Sequence, residues 1–170
     1  SIGNVVYPKH WLEVADPELL RMFYNKRLMM TRSFSWKDLP VLYDEYDYIS
    51  KIYFGSVKLD NKKEEAHYKR LFEVSHGKKI NKPIDLSFSH AAFISQIFKN
   101  EEDAIKSMEK TGHYSREMHE AIFDRLHKVK VWIEKYAPDD LKFEVQKNVP
   151  KNIELNANEK KALHAIAKSL

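Results

Sequence analysis

One stretch constrains the fold more than any other. Between Ser115 and Pro138, the residues Met118, Ile122, Leu126, Val129, Ile133 and Tyr136 recur at intervals of four, four, three, four and three. That is the period at which side chains share one face of an α-helix. Such a stripe must be buried, so a helix here demands partners with apolar faces of their own. Pro138 cannot continue the helix and ends it. A chain of 170 residues can hide roughly 70% of the surface its unfolded form exposes, enough for a real core. Only four glycines and six prolines leave little material for a turn-rich β architecture. The expected class is mainly α, with a small mixed α/β part near the N-terminus.

The other elements are read from caps and breakers. In "ADPELLRMFY", Asp16 stands where a cap belongs, Pro17 presets the first turn and Glu18 meets the positive end of the dipole, predicting a helix to about Tyr24. "RLMMTRSFS" has no helix start and predicts a short extended segment. Leu42, Tyr46, Ile49 and Tyr53 predict an amphipathic helix that Gly55 ends. Asn61 caps a helix through "KKEEAHYKRLFEV", and a more apolar one runs from about Leu86 to Phe98. Asn100 with Asp103 opens another that Gly112 breaks, and Ser115 opens the long one. "DDLKFEVQKNVPKN" reads as an extended connection, after which Asn156 with Glu159 forms a capping box for a helix through Leu170.

Catalytic constellations are scarce. There is no cysteine, which removes thiolate chemistry, disulfides and Cys-based metal sites. "HEAIF" begins like a zinc-protease motif, but Phe123 stands where the second histidine must sit. His113, His119 and His127 lack the spacing of a ligand set, and no metal site is expected. Asp44, Glu45 and Asp47 could pair as acid and base only if burial separated them. Their place on the helix predicts a charged exterior instead. The sequence contains no P-loop, GxSxG elbow or GxGxxG fingerprint.

Cations are more suggestive. The formal charge is +4, the sign that suits a polyanion. Lys26, Arg27 and Arg32 flank the extended segment with few carboxylates close by in sequence. They are the expected phosphate contacts. Lys62, Lys63, Lys69, Arg70, Lys78, Lys79 and Lys82 form a second cluster, but Glu64, Glu65 and Glu73 interleave with it as local partners. Trp36 and Tyr114 are candidates for stacking unpaired bases. Tyr43, Tyr46, Tyr53, Trp132 and Tyr136 belong to the core by their spacing.

Several stretches resemble a known family. "SIGNVV" and then "WLEVADPELLRMFY" resemble the segment after the KMSKS signature of class I aminoacyl-tRNA synthetases, where a serine precedes x-G-N-V and a helix begins at D-P-E-x-L-R. "LYDEYDYISKIYFG" and "WIEKYAPDDLKFEV" resemble the class I lysyl-tRNA synthetases, the archaeal type that also occurs in some bacteria. The resemblance spans about residues 1–145, is most specific at 1–24, 41–55 and 132–143, and weakens beyond Val149.

The resemblance implies a C-terminal fragment beginning inside the signature loop. Ser1, Gly3 and Asn4 are then a remnant of the loop that handles ATP, and the loop lysines that stabilise the transition state are absent. Residues 1–56 correspond to the end of that loop and a stem-contact region, and 57–170 to part of the helical cage that reads the anticodon. The parent enzyme attaches lysine to tRNA(Lys) with ATP and Mg²⁺, while the isolated fragment is expected to be inactive, ligand-free, monomeric and cytoplasmic, with tRNA(Lys) as partner and no membrane. Two other classes fit the bare pattern: a helical protein-interaction module, and a small hydrolase built on the acidic and histidine residues. A glutamyl-type synthetase fragment shares the architecture but not the tyrosine-rich and Lys-Tyr-Ala-Pro stretches.

Overall fold

The long apolar stripe becomes the helix around which the others gather. The computed structural model describes residues 6–28, 30, 33–77, 80, 82–98, 100–145, 156–161 and 164. Its helices are α1 (Pro8–Val14), α2 (Pro17–Asn25), α3 (Leu39–Tyr53), α4 (Lys62–Ser75), α5 (Phe88–Ile97), α6 (Glu101–Lys110) and α7 (His119–Lys135), with 3₁₀ turns at Trp36–Asp38, Arg116–Met118 and Asp139–Leu141. Residues 157–161 start a further helical segment. α7 packs against α1 and α5, while α4 packs against α2 and α3. One core joins the two sets: Trp11 and Leu19 from the first helices, Phe72 from α4, Phe88 from α5 and Trp132 from α7 are all buried in it.

Local chemistry explains the boundaries. The Asn61 carboxamide accepts from the N–H groups of Lys63 and Glu64 at 3.1 and 3.4 Å, satisfying donors that a helix start leaves open. Asn100 and Asp103 cap reciprocally, the Asp103 N–H reaching Asn100 Oδ1 at 2.8 Å and Asn100 Nδ2 reaching Asp103 Oδ2 at 2.7 Å. The same reciprocity joins Asn156 and Glu159 at 2.8 and 3.0 Å. Gly55 and Gly112 end their helices at φ of 78° and 75°, a left-handed conformation that costs a residue with a Cβ roughly 1–2 kcal/mol.

Four expectations need correction. α1 is not among the helices expected from the sequence, although Pro8 at its start and buried Trp11 and Val14 one turn apart mark it. The N-terminal part contains no strand among the described residues, so the mixed α/β character expected there is not seen in them; positions 29, 31 and 32 of the expected extended segment lie outside the described residues. Asp16 occupies the cap position of α2 without a capping bond; its carboxylate instead accepts from Lys128 Nζ at 2.7 Å. Ser115 opens a 3₁₀ turn rather than α7 itself, and makes no side-chain cap.

Candidate nucleic-acid interface

α2 ends in the cations that the sequence singles out. Lys26 is its C-cap residue and Arg27 comes next, where positive charge offsets the partial negative charge of a helix C-terminus. The two then differ. Lys26 Nζ is ion-paired with Glu45 of α3, so the expectation that this group lacks a nearby carboxylate fails for it: Glu45 is distant in sequence and adjacent in space. Arg27 is exposed and has no ion-pair partner among the described residues. Arg32 lies outside the described residues, as do Ser1, Gly3 and Asn4.

The second cluster is largely self-compensated. Glu65 accepts from Lys69 at 2.6 Å and from Lys62 at 3.1 Å, and these two hydrogen bonds, Lys69 first, pull its carboxyl down to about 2. Arg70 pairs with Glu73 at 3.3 Å. Lys63 is exposed without an ion-pair partner among the described residues, and Lys78 and Lys79 fall outside them. Glu65 and Glu73 therefore act as the sequence suggests, whereas Glu64 makes no ion pair among the described residues.

Neither stacking candidate presents a free ring. Trp36 stacks on Tyr136 at 4.3 Å, contacts Phe34 and Trp11 at 5.2 and 6.5 Å, and its carbonyl accepts from Trp132 Nε1 at 2.9 Å. It closes the core under the 3₁₀ turn. The Tyr114 hydroxyl is bonded to His119 Nδ1 at 3.0 Å. Tyr43 and Trp132 are buried, and Tyr46, Tyr53 and Tyr136 pack against the core, as their spacing requires.

The feature the sequence hides is ionic. Asp47 does not join a charged exterior. Its carboxylate takes Arg125 in a two-pronged pair, Nη1 at 2.5 Å and Nη2 at 2.9 Å. The Arg125 and Asp47 side chains are 10% and 13% exposed. Arg125 Nη1 also donates to the Leu86 carbonyl at 2.8 Å, and the guanidinium lies 5.0 Å from the centre of the Tyr43 ring. Tyr43 in turn donates to the Val14 carbonyl at 3.0 Å, and burial pushes its hydroxyl well up. α1, α3, α7 and the segment leading into α5 are thus tied through one charged centre. Beside it, His76 Nδ1 lies 2.8 Å from the Phe72 carbonyl. A carbonyl only accepts, so Nδ1 carries the proton, and in the neutral ring Nε2 accepts from the Tyr46 hydroxyl at 2.7 Å.

A helical body with an arginine at the end of α2 that has no ion-pair partner among the described residues suits a polyanion without naming one. Similarity to known proteins narrows the family. Residues 1–78 match the model of the tRNA synthetases class I (K). A lysine–tRNA ligase of Thermococcus kodakarensis is 32% identical over 181 aligned positions that include the whole chain, and one of Borreliella burgdorferi is 29% identical over 170 positions that include 98% of it. The chain is thus similar to the class I lysyl-tRNA synthetases. It spans about a third of the length of these relatives, 34% and 32% respectively. The alignment with the Thermococcus kodakarensis synthetase runs through the C-terminal residues as well, so likeness to the lysyl-tRNA synthetases extends past the 1–145 expected from the motifs. Among the described residues no helix is long and apolar enough to cross a membrane, and no three histidines or carboxylates are grouped to hold a metal ion.

Proposed function

We propose that these residues form a tRNA-contacting region of a lysine–tRNA ligase, whose whole protein joins lysine to tRNA(Lys) at the expense of ATP, with Mg²⁺ accompanying the nucleotide. The observation that carries the reading is the alignment of the whole chain with proteins of that name. Within it, Ser1, Gly3 and Asn4 contact ATP as the tail of the signature loop, and Lys26, Arg27 and Arg32 contact tRNA phosphates. Arg27 is a stronger contact than Lys26, because it has no partner among the described residues to abandon on binding. Residues 1–56 serve the tRNA stem and 57–170 the anticodon arm. That division is one of function, since a single core runs through both parts.

We take the 170 residues by themselves to be inactive in adenylation. The buried ions Arg125 and Asp47 are committed to each other, and positioning of reactants is most of what such catalysis needs. The purified chain is therefore expected to show no lysine-dependent ATP–pyrophosphate exchange, while binding tRNA weakly and with steep salt dependence. Robust exchange by the pure chain would overturn the first half of this reading. Tight binding that is unchanged between low and physiological salt would overturn the second.

A further inference from the structure

A cleft of about 720 Å³ opens between α2, α3, α7 and the segment around Lys82–Ile84, within the range of about 300–1,000 Å³ typical of small-molecule sites. The charge of its described lining is opposite to that of the molecule as a whole. Among the described residues six carboxylates line it, those of Asp16, Glu18, Asp47, Glu117, Glu120 and Asp124, against the three cations Lys82, Arg125 and Lys128. Two of those cations are already committed: Arg125 to Asp47, and Lys128 to Asp16 and Asp124 at 2.7 and 2.5 Å. Glu18 is shared with Arg21. Glu117 and Glu120 are exposed at the rim with no ion-pair partner among the described residues.

Carboxylates at a helix surface are ordinary; the floor of this cleft is not. Ser50, 2% exposed, lines it, and its hydroxyl has no hydrogen-bond partner among the described residues, although a buried hydroxyl normally finds one. It shares a face of α3 with Tyr43, Tyr46 and Asp47, which line the same cleft. Burial raises the pKa of the Tyr46 hydroxyl first, and the charges of Asp16, Glu18 and Asp47 raise it further against the opposing charge of Arg125.

We propose that the cleft binds a linear organic polyamine, one ammonium group donating to the Ser50 hydroxyl oxygen at the floor and another lying between Glu117 and Glu120 at the rim. The choice of class rests on the spread of charge. No three carboxylates or histidines among the described residues converge as metal ligands do, so a compact divalent ion meets too few of them at once. A chain of ammonium groups separated by methylenes meets charges set apart, and Pro83, Ile84, Met118 and Ala121 supply apolar wall for the methylenes. An RNA phosphate is repelled by the same lining. This site is independent of the proposed tRNA contact.

Spermidine titrated into the 170-residue chain at fixed ionic strength tests it, by calorimetry. The expected result is saturable binding of one spermidine per chain. Affinity should fall at least five-fold in Glu117→Gln with Glu120→Gln and at least three-fold in Ser50→Ala, with melting temperatures near the parent's. Glu101→Gln with Glu102→Gln, the same change of charge on α6 and away from the cleft, should bind as the parent does. Equal displacement of spermidine by Mg²⁺ at matched ionic strength would overturn the proposal, because it reduces the effect to screening. So would parent-like binding by the cleft variants, or equal weakening by the α6 control.

Discussion

The Arg125–Asp47 pair decides how a single residue can unmake this molecule. Two charges taken from water are offset mainly by each other, with the Leu86 carbonyl and the Tyr43 ring beside Arg125, so removing one leaves the other buried without its charge partner. Arg125→Met is expected to cost roughly 3–5 kcal/mol, whereas Arg125→Met combined with Asp47→Leu should regain most of that loss. Urea unfolding of the parent, both single variants and the double variant closes the cycle. Additive losses would mean that the pair is not coupled. Why the sequence conceals the pair is physical: Asp44, Glu45 and Asp47 are chemically alike, and what separates them is a partner 78 residues away. Residue type argues for the surface, while the position of Asp47, one turn from both Tyr43 and Ser50, argues for the interior. Position is the better guide.

At the scale of elements, the legible parts are those whose signal is local. The caps at Asn61, Asn100 and Asn156 and the breakers at Gly55 and Gly112 are complete within three or four residues, and all fall where the sequence puts them. α1 is short enough that Trp11 and Val14 give less than two turns of periodicity, so its burial, and not its pattern, defines it. Asp16 shows the converse: a local signal for a cap is outcompeted by a long-range cation, Lys128. α4 carries a prediction of its own. Glu65 is held at about 2 by Lys69 and Lys62, against an ordinary 4.5. Its ionised form is therefore favoured by folding, and the stabilisation is complete above about pH 4.5 and lost as the pH falls towards about 2. The melting-temperature difference between the parent and Glu65→Gln should shrink across that window. High salt should reduce it at neutral pH, because both lysines are exposed. A difference independent of pH from about 6 to about 2 would assign the effect to packing.

For the whole molecule the question is which face meets tRNA, and the two basic clusters answer differently. Lys62 and Lys69 share Glu65, and Arg70 has Glu73, so each approaching phosphate must replace an existing partner. Lys26 faces the same competition from Glu45, whereas Arg27 faces none among the described residues. Replacing Arg27 alone by glutamine is thus expected to weaken tRNA binding more than replacing Lys26 alone. The combined replacement of Lys26, Arg27 and Arg32 should weaken it more than the Lys62 and Lys63 double replacement. For every phosphate that a variant no longer neutralises, the salt slope should drop by roughly one unit. Base preference should hardly move, since phosphate contacts position the nucleic acid without reading its sequence. Filter binding across a salt series measures both quantities, and thermal melts of each variant separate weakened binding from unfolding. A stable triple variant that binds like the parent, beside a Lys62 and Lys63 variant that does not, would move the tRNA surface from the end of α2 to the start of α4. Lys63, the exposed lysine there without an ion-pair partner among the described residues, would then be its centre.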